Sequence, residues 1–119
     1  MLYKKSEEAG KPYIESVIGE TRIDSERDIL DFIVHCGEHK TSRVLLHEEN
    51  ISEDFFDLKT RLAGDILQKL ATYSVKAAIV ISEKRNTGRF GEFVSETRKS
   101  GTLRFFNEKD DAAEWLKKD

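Results

Sequence analysis

Long apolar runs are missing from this chain. No stretch approaches the ~18 residues that a membrane-spanning helix needs, and the opening residues MLYKKSEEAG hold no apolar core of signal-peptide length. Both absences point to the cytoplasm. Cysteine is almost missing too. Cys36 is the only one, so no disulfide can form within the chain, which fits a reducing compartment. Proline occurs once, at Pro12, and there is no low-complexity tract, repeat or linker. That predicts one domain over residues 1–119, near the commonest domain size. An excess of positive charge is also lacking. The 20 Lys and Arg stand against 23 Asp and Glu, for a net charge of −3. Neither a nucleic-acid face nor a polybasic membrane patch fits that balance.

What is present is short apolar runs alternating with amphipathic ones. Met1 to Ser6 can pair with Tyr13 to Ile18 as a hairpin across the turn EEAGKP, where Gly10 can supply positive φ. In DSERDILDFIVHCGEH, Ser25 and Asp28 have capping-box spacing, and Ile29, Phe32, Ile33 and Cys36 form one apolar face, with Gly37 near its end. Val44 to Leu46 reads as a buried strand. Asn50 or Ser52 then caps a second helix whose stripe is Phe55, Leu58, Leu62, Ile66, Leu70 and Tyr73. AAIVIS, residues 77–82, reads as a central strand. RFGEFVSETRKSG reads as a third helix with Gly101 as its C-terminal cap. LRFF is the last strand, and Asn107 caps a final helix with Ala112, Ala113, Trp115 and Leu116 on its inner side. The order β-β-α-β-α-β-α-β-α predicts an α/β fold, with a mixed, mostly parallel sheet packed against helices and an antiparallel hairpin at its start.

The stretch HEENISEDFFDLKTRLAGDILQKLATYSVKAAIV resembles the signature of a small family of uncharacterised bacterial proteins, the domain-of-unknown-function family 4180. The likeness extends over most of the chain and departs around VISEKRNTGRFGEFVSETRKSG. It implies no catalytic residues, because the family has no established activity. At fold level the element order, and the closing FFNEKDDAAEWL, look like the STAS domain of anti-sigma-factor antagonists and sulfate-transporter tails. That resemblance implies a regulatory or binding module.

Chemistry-bearing residues collect in two segments that leave the C-terminal ends of predicted strands, the edge where open parallel sheets bind ligands. One holds His47, Glu48, Glu49, Asn50 and Ser52; the other holds Ser82, Lys84, Arg85 and Arg89. His47 with Glu48 or Glu49 would make an acid–base pair. The carboxylates Glu53, Asp54 and Asp57 are equally explained as helix-start charges, each worth about 0.3–1 kcal/mol. Ser52 is the nearest match to the serine phosphorylated in STAS regulators, but the flanking sequence differs and its acidic neighbours would repel phosphate. His35 and His39 share helical spacing, yet Cys36 stands where a zinc motif carries Glu, so no metal is assigned. TGRFGEF lacks both the Walker and the dinucleotide fingerprints, leaving Lys84, Arg85 and Arg89 as anion contacts near a helix start. The Phe105–Phe106 pair must point to opposite faces of its strand. Either both sheet faces are covered or one ring is exposed.

The reading that follows is a non-enzymatic module without cofactor, for a small ligand or a protein partner, contacting nucleic acid and membrane not at all. The first alternative is a small enzyme using His47. The second is a homodimer formed through an exposed aromatic face.

Overall fold

A computed structural model of the chain describes residues 3–5, 12–20 and 22–118. Its sheet has five strands in chain order: β1 (Tyr3–Lys5), β2 (Ile14–Ser16), β3 (Arg43–His47), β4 (Lys76–Val80) and β5 (Leu103–Phe106). Strands β2 to β5 run parallel. β1 runs antiparallel to β2, with Tyr3 opposite Ser16 and Lys5 opposite Ile14. The turn expected over EEAGKP lies, except for Pro12, outside the described residues. Residues 44–46 and 77–79 are direct neighbours in the middle of the sheet.

Among the described residues, three α-helices join the parallel strands, α1 (Glu26–Glu38), α2 (Leu62–Thr72) and α3 (Gly88–Thr97), and α4 (Lys109–Lys117) follows β5. α1 starts at Ser25, whose hydroxyl accepts the Asp28 N–H. The Asp28 carboxylate reaches back one residue further than a standard capping box, to the Asp24 N–H. α1 to α3 share one face of the sheet. Ile29 and Phe32, Ile66 and Leu70, and Phe90 and Val94 pack there on Val44, Leu46, Ile79 and Phe105. α4 covers the other face, where Ala112, Ala113 and Leu116 meet Tyr13, Leu45 and Ala78. Phe105 and Phe106 divide between the two faces, and Phe106 is covered by Trp115 at 5.7 Å. Both sheet faces are therefore covered. The aromatic face that a dimer would have used is not displayed by this pair.

Several boundaries differ from expectation. The second helix does not begin at Asn50 or Ser52. Residues 48–60 form three short 3-10 turns, and α2 starts only at Leu62. Side chains compete here with the helical ladder. Ser52 Oγ accepts the Asp54 N–H and Asp57 Oδ1 accepts the Lys59 N–H. Thr60 Oγ1 donates to the Asp54 and Asp57 carbonyls. Arg61 then takes a left-handed φ of 67°, which breaks the helix from what precedes it. Tyr73 falls beyond α2 and is exposed rather than buried. α3 ends at Thr97, so Gly101, at φ 71°, turns the following loop and does not cap the helix. Asn107 does not cap α4; Glu108 holds that position, and the Asn107 amide donates to the Ile81 carbonyl.

Candidate functional site

Because β3 and β4 are adjacent and parallel, the segments leaving their C-terminal ends meet. Glu48 begins the first turn after β3. It accepts the backbone N–H of Ser82 and the Nε–H of Arg85, the latter at 2.5 Å. The outer fork of Arg85 holds Glu53 through Nη1 at 3.1 Å and Nη2 at 2.7 Å. The same guanidinium lies 3.9 Å over the ring of Phe56. Burial pushes the Glu48 carboxyl upward, but the hydrogen bonds and charge of Arg85 and the Ser82 N–H outweigh it and hold the group below its ordinary value. The Arg85 hydrogen bond lowers Glu53 as well. Of the expected site residues, Glu48, Ser82 and Arg85 are thus brought together. Lys84 and Glu49 are exposed beside them.

His47 does not join that group, and the expected acid–base pair with Glu48 or Glu49 does not form. Alternation along β3 sends Leu45 and His47 to the α4 face, while Glu48 swings toward β4. His47 Nε2 lies 2.7 Å from Glu15 Oε2, and the second Glu15 oxygen takes the Lys109 ammonium at 3.1 Å. Glu15 and His47 are both buried. That hydrogen bond holds the Lys109 ammonium above its ordinary pKa. The His47 side chain also accepts the Asn50 backbone N–H, in a reciprocal capping box with the Asn50 amide. The imidazole is thus engaged within the protein on both sides, by Glu15 and by Asn50. Asn50 is a buried strut. Its Oδ1 takes the Ser16 hydroxyl at 2.6 Å, and its amide donates to the Val17 carbonyl. Ser52 is buried and caps a turn.

Glu15 and Lys109 escaped sequence reasoning. The available signal was a carboxylate in YIESV, in register with Leu45 and on the same face as the Tyr13 ring. A buried charge there demands a cation.

The open surface lies beside Arg89 instead. One cleft of about 460 Å³ is lined by Leu58, Arg89, Glu92, Phe93 and Glu96. A second, of about 220 Å³, is lined by Phe56, Leu58, Lys59, Thr87, Arg89 and Phe90, with Asp57 at its edge. They share Leu58 and Arg89 and so form one groove between the 3-10 turns and α3. Its lining mixes the apolar side chains of Phe56, Leu58, Phe90 and Phe93 with charged residues of both signs.

Cys36 is fully buried, and burial pushes its thiol up to about 12. His39 ends α1 through its backbone N–H. Among the described residues, no group of three His, Cys, Asp or Glu side chains comes together as metal ligands. No helix of the described residues is long and apolar enough to cross a membrane.

A family profile described as "Domain of unknown function (DUF4180)" matches residues 8–116. The chain belongs to the DUF4180 family. No curated protein matches it, and no solved structure does. The DUF4180 match spans the helices and strands that form the groove and the Arg85 cluster.

Proposed function

We propose that this DUF4180 chain is a non-enzymatic, STAS-like cytoplasmic module, formed as one domain over residues 1–119, that binds a small ligand in the groove between the Leu58 turn and α3. The strand order, running through the sheet in chain order, supports the STAS-like reading. The carrying observation is a contrast. The one histidine at the strand ends has both nitrogens engaged inside the protein, while Leu58, Phe90 and Phe93 leave a groove open. A cleft that sets aromatic and aliphatic side chains beside charged groups offers both contact area and orienting polar contacts to a ligand.

A thermal-melt screen of nucleotides, lipids and small organic acids tests this. A true ligand at one hundred times its Kd adds about 2.7 kcal/mol. The expected result is a melting-temperature rise that is lost in Phe93→Ala and kept in His47→Gln. A shift kept in Phe93→Ala and lost in His47→Gln would transfer the reading to the enzyme alternative. No shift with any compound would remove the small-ligand reading in favour of a protein partner.

A further inference from the structure

Arg85 is tethered asymmetrically. Its Nε is fixed by Glu48, whose side chain is largely buried and which also takes the Ser82 N–H. Its guanidinium carbon sits 3.9 Å over the Phe56 ring. These contacts set its plane and direction before any ligand arrives. Its outer fork, by contrast, is filled by Glu53, a side chain 79% exposed. Among the described residues, Arg85 makes two hydrogen bonds to the Glu53 carboxylate. A planar guanidinium fork matches a carboxylate with two parallel bonds. Glu53 therefore occupies the position that a free carboxylate would take.

Phe56, under that guanidinium, also lines the smaller cleft, beside Phe90, Lys59 and Arg89. Arg85 and Glu53 do not themselves line the cleft, and the Phe56 ring is what joins the fork to it, so a molecule with its carboxylate on the fork would lay its body along Phe56 toward Phe90. We propose that Arg85 is the anchor of a carboxylate-binding site, that its ligand is a small acid with an aromatic or short apolar body lying in the groove, and that Glu53 is a built-in competitor the ligand displaces. This rests on the groove reading above and names its ligand class.

Displacement predicts an unusual sign: removing an ionised side chain of the site tightens binding. An occupied fork lowers the fraction of protein competent to bind, and apparent affinity falls by that fraction. The probes are 3-phenylpropionate, its neutral analogue 3-phenylpropanol, and acetate, titrated calorimetrically at low salt into the full chain. Glu53 is exposed, so Glu53→Ala and Glu53→Gln should keep the fold, and an unchanged far-ultraviolet spectrum checks this. The expected result is phenylpropionate binding about fivefold or more tighter in Glu53→Ala than in the native chain. The alcohol should bind both proteins alike. Arg85→Lys should abolish the gain, because an ammonium cannot form the paired bonds. If the alcohol binds and Glu53→Ala brings no gain for phenylpropionate, this inference fails and the groove reading survives. If acetate gains as much as phenylpropionate, the fork is detached from the groove and the inference fails in its stated form. If neither phenyl compound binds either protein, this inference fails, while the groove reading is decided by the wider thermal-melt screen.

Discussion

The two faces of the sheet are held in different ways. On the face covered by α1, α2 and α3, the buried side chains are large and the contact is nearly all apolar. Phe55 sits at its centre, with rings of Phe56, Phe90 and Phe105 between 5.2 and 6.2 Å away. On the face covered by α4, three of the six fully packed residues are alanines: Ala78, Ala112 and Ala113. Small side chains let the helix approach the sheet closely but bury little area, at roughly 25 cal/mol per Å². Charge completes the second face. Lys109, in the first turn of α4, reaches Glu15. At the other end, Arg43 Nη1 donates to the Leu116 and Lys118 carbonyls, and Lys76 Nζ to the Trp115 carbonyl. Cations at a helix C-terminus satisfy orphan carbonyls and complement the dipole. The first face is therefore stabilised mainly by area. The second is positioned by polar clamps at both ends of one short helix.

The largest test of this contrast is Phe55→Ala. The side chain is fully buried among packed rings, so the loss should be about 3–5 kcal/mol, read as a fall in the urea midpoint. A loss under about 1 kcal/mol would mean that the aromatic cluster is loosely packed. Next comes a paired comparison on one strand. Leu45 and Leu46 are equally buried but point to opposite faces. Leu46→Ala should cost toward the upper end of the ~2–5 kcal/mol range for such truncations, and Leu45→Ala toward the lower end, because one short helix can settle into the space more easily than three packed ones. The reverse order would refute the contrast.

A smaller effect is expected from Lys109→Met. It removes the Lys109 ammonium from the Glu15 carboxylate, which is only 9% exposed. Because Lys109 itself is about half exposed, the cost should be modest, about 1 kcal/mol. The more telling readout is hydrogen exchange. Protection of α4 amides should fall while that of α2 stays, since opening is local where apolar contact is thin. Equal loss in both helices would show that α4 is not a separate unit.

The same division explains what the sequence disclosed. Val44–Leu46, Ala77–Val80 and Leu103–Phe106 were legible as strands because short apolar runs between polar flanks have few other uses. α1 was legible because Ser25 and Asp28 carry their chemistry locally. The start of the second helix was not. Phe55, Leu58 and Leu62 keep three- and four-residue spacing through consecutive 3-10 turns as well as they would through a helix, so periodicity alone could not separate the two. The decision lay in Ser52, Asp57 and Thr60, whose side chains bond the backbone. In the site, the meeting of the Glu48 and Ser82–Arg85 segments followed from strand adjacency and was foreseeable. The engagement of His47 was not, because its partner Glu15 and the Lys109 that also holds Glu15 come from opposite ends of the chain and meet only once the α4 face has formed.

The smallest effects should separate the faces by pH. Glu48 and Glu53 belong to the rim of the first face, and their folded pKa values lie below the ordinary 4.5. Their contribution is complete above that value and is lost as pH falls through the lowered folded values. The stability gap between the native chain and Arg85→Gln should therefore narrow in acid below pH 4.5. Lys109 belongs to the second face, and its folded pKa lies above the ordinary 10.5. Its contribution is complete below 10.5 and is lost as pH rises through the raised folded value. The gap between the native chain and Lys109→Met should therefore persist in acid at least until the Glu15 carboxylate takes up a proton, and should close only in strong alkali. Denaturant titrations of the three proteins at pH 4, 7 and above 10.5 would read both gaps. If the Arg85→Gln gap were as wide at pH 4 as at pH 7, the Arg85 cluster would be holding its face by packing against Phe56 rather than by charge, and the contrast between an apolar face with an ionic rim and an ion-clamped face would lose half its basis.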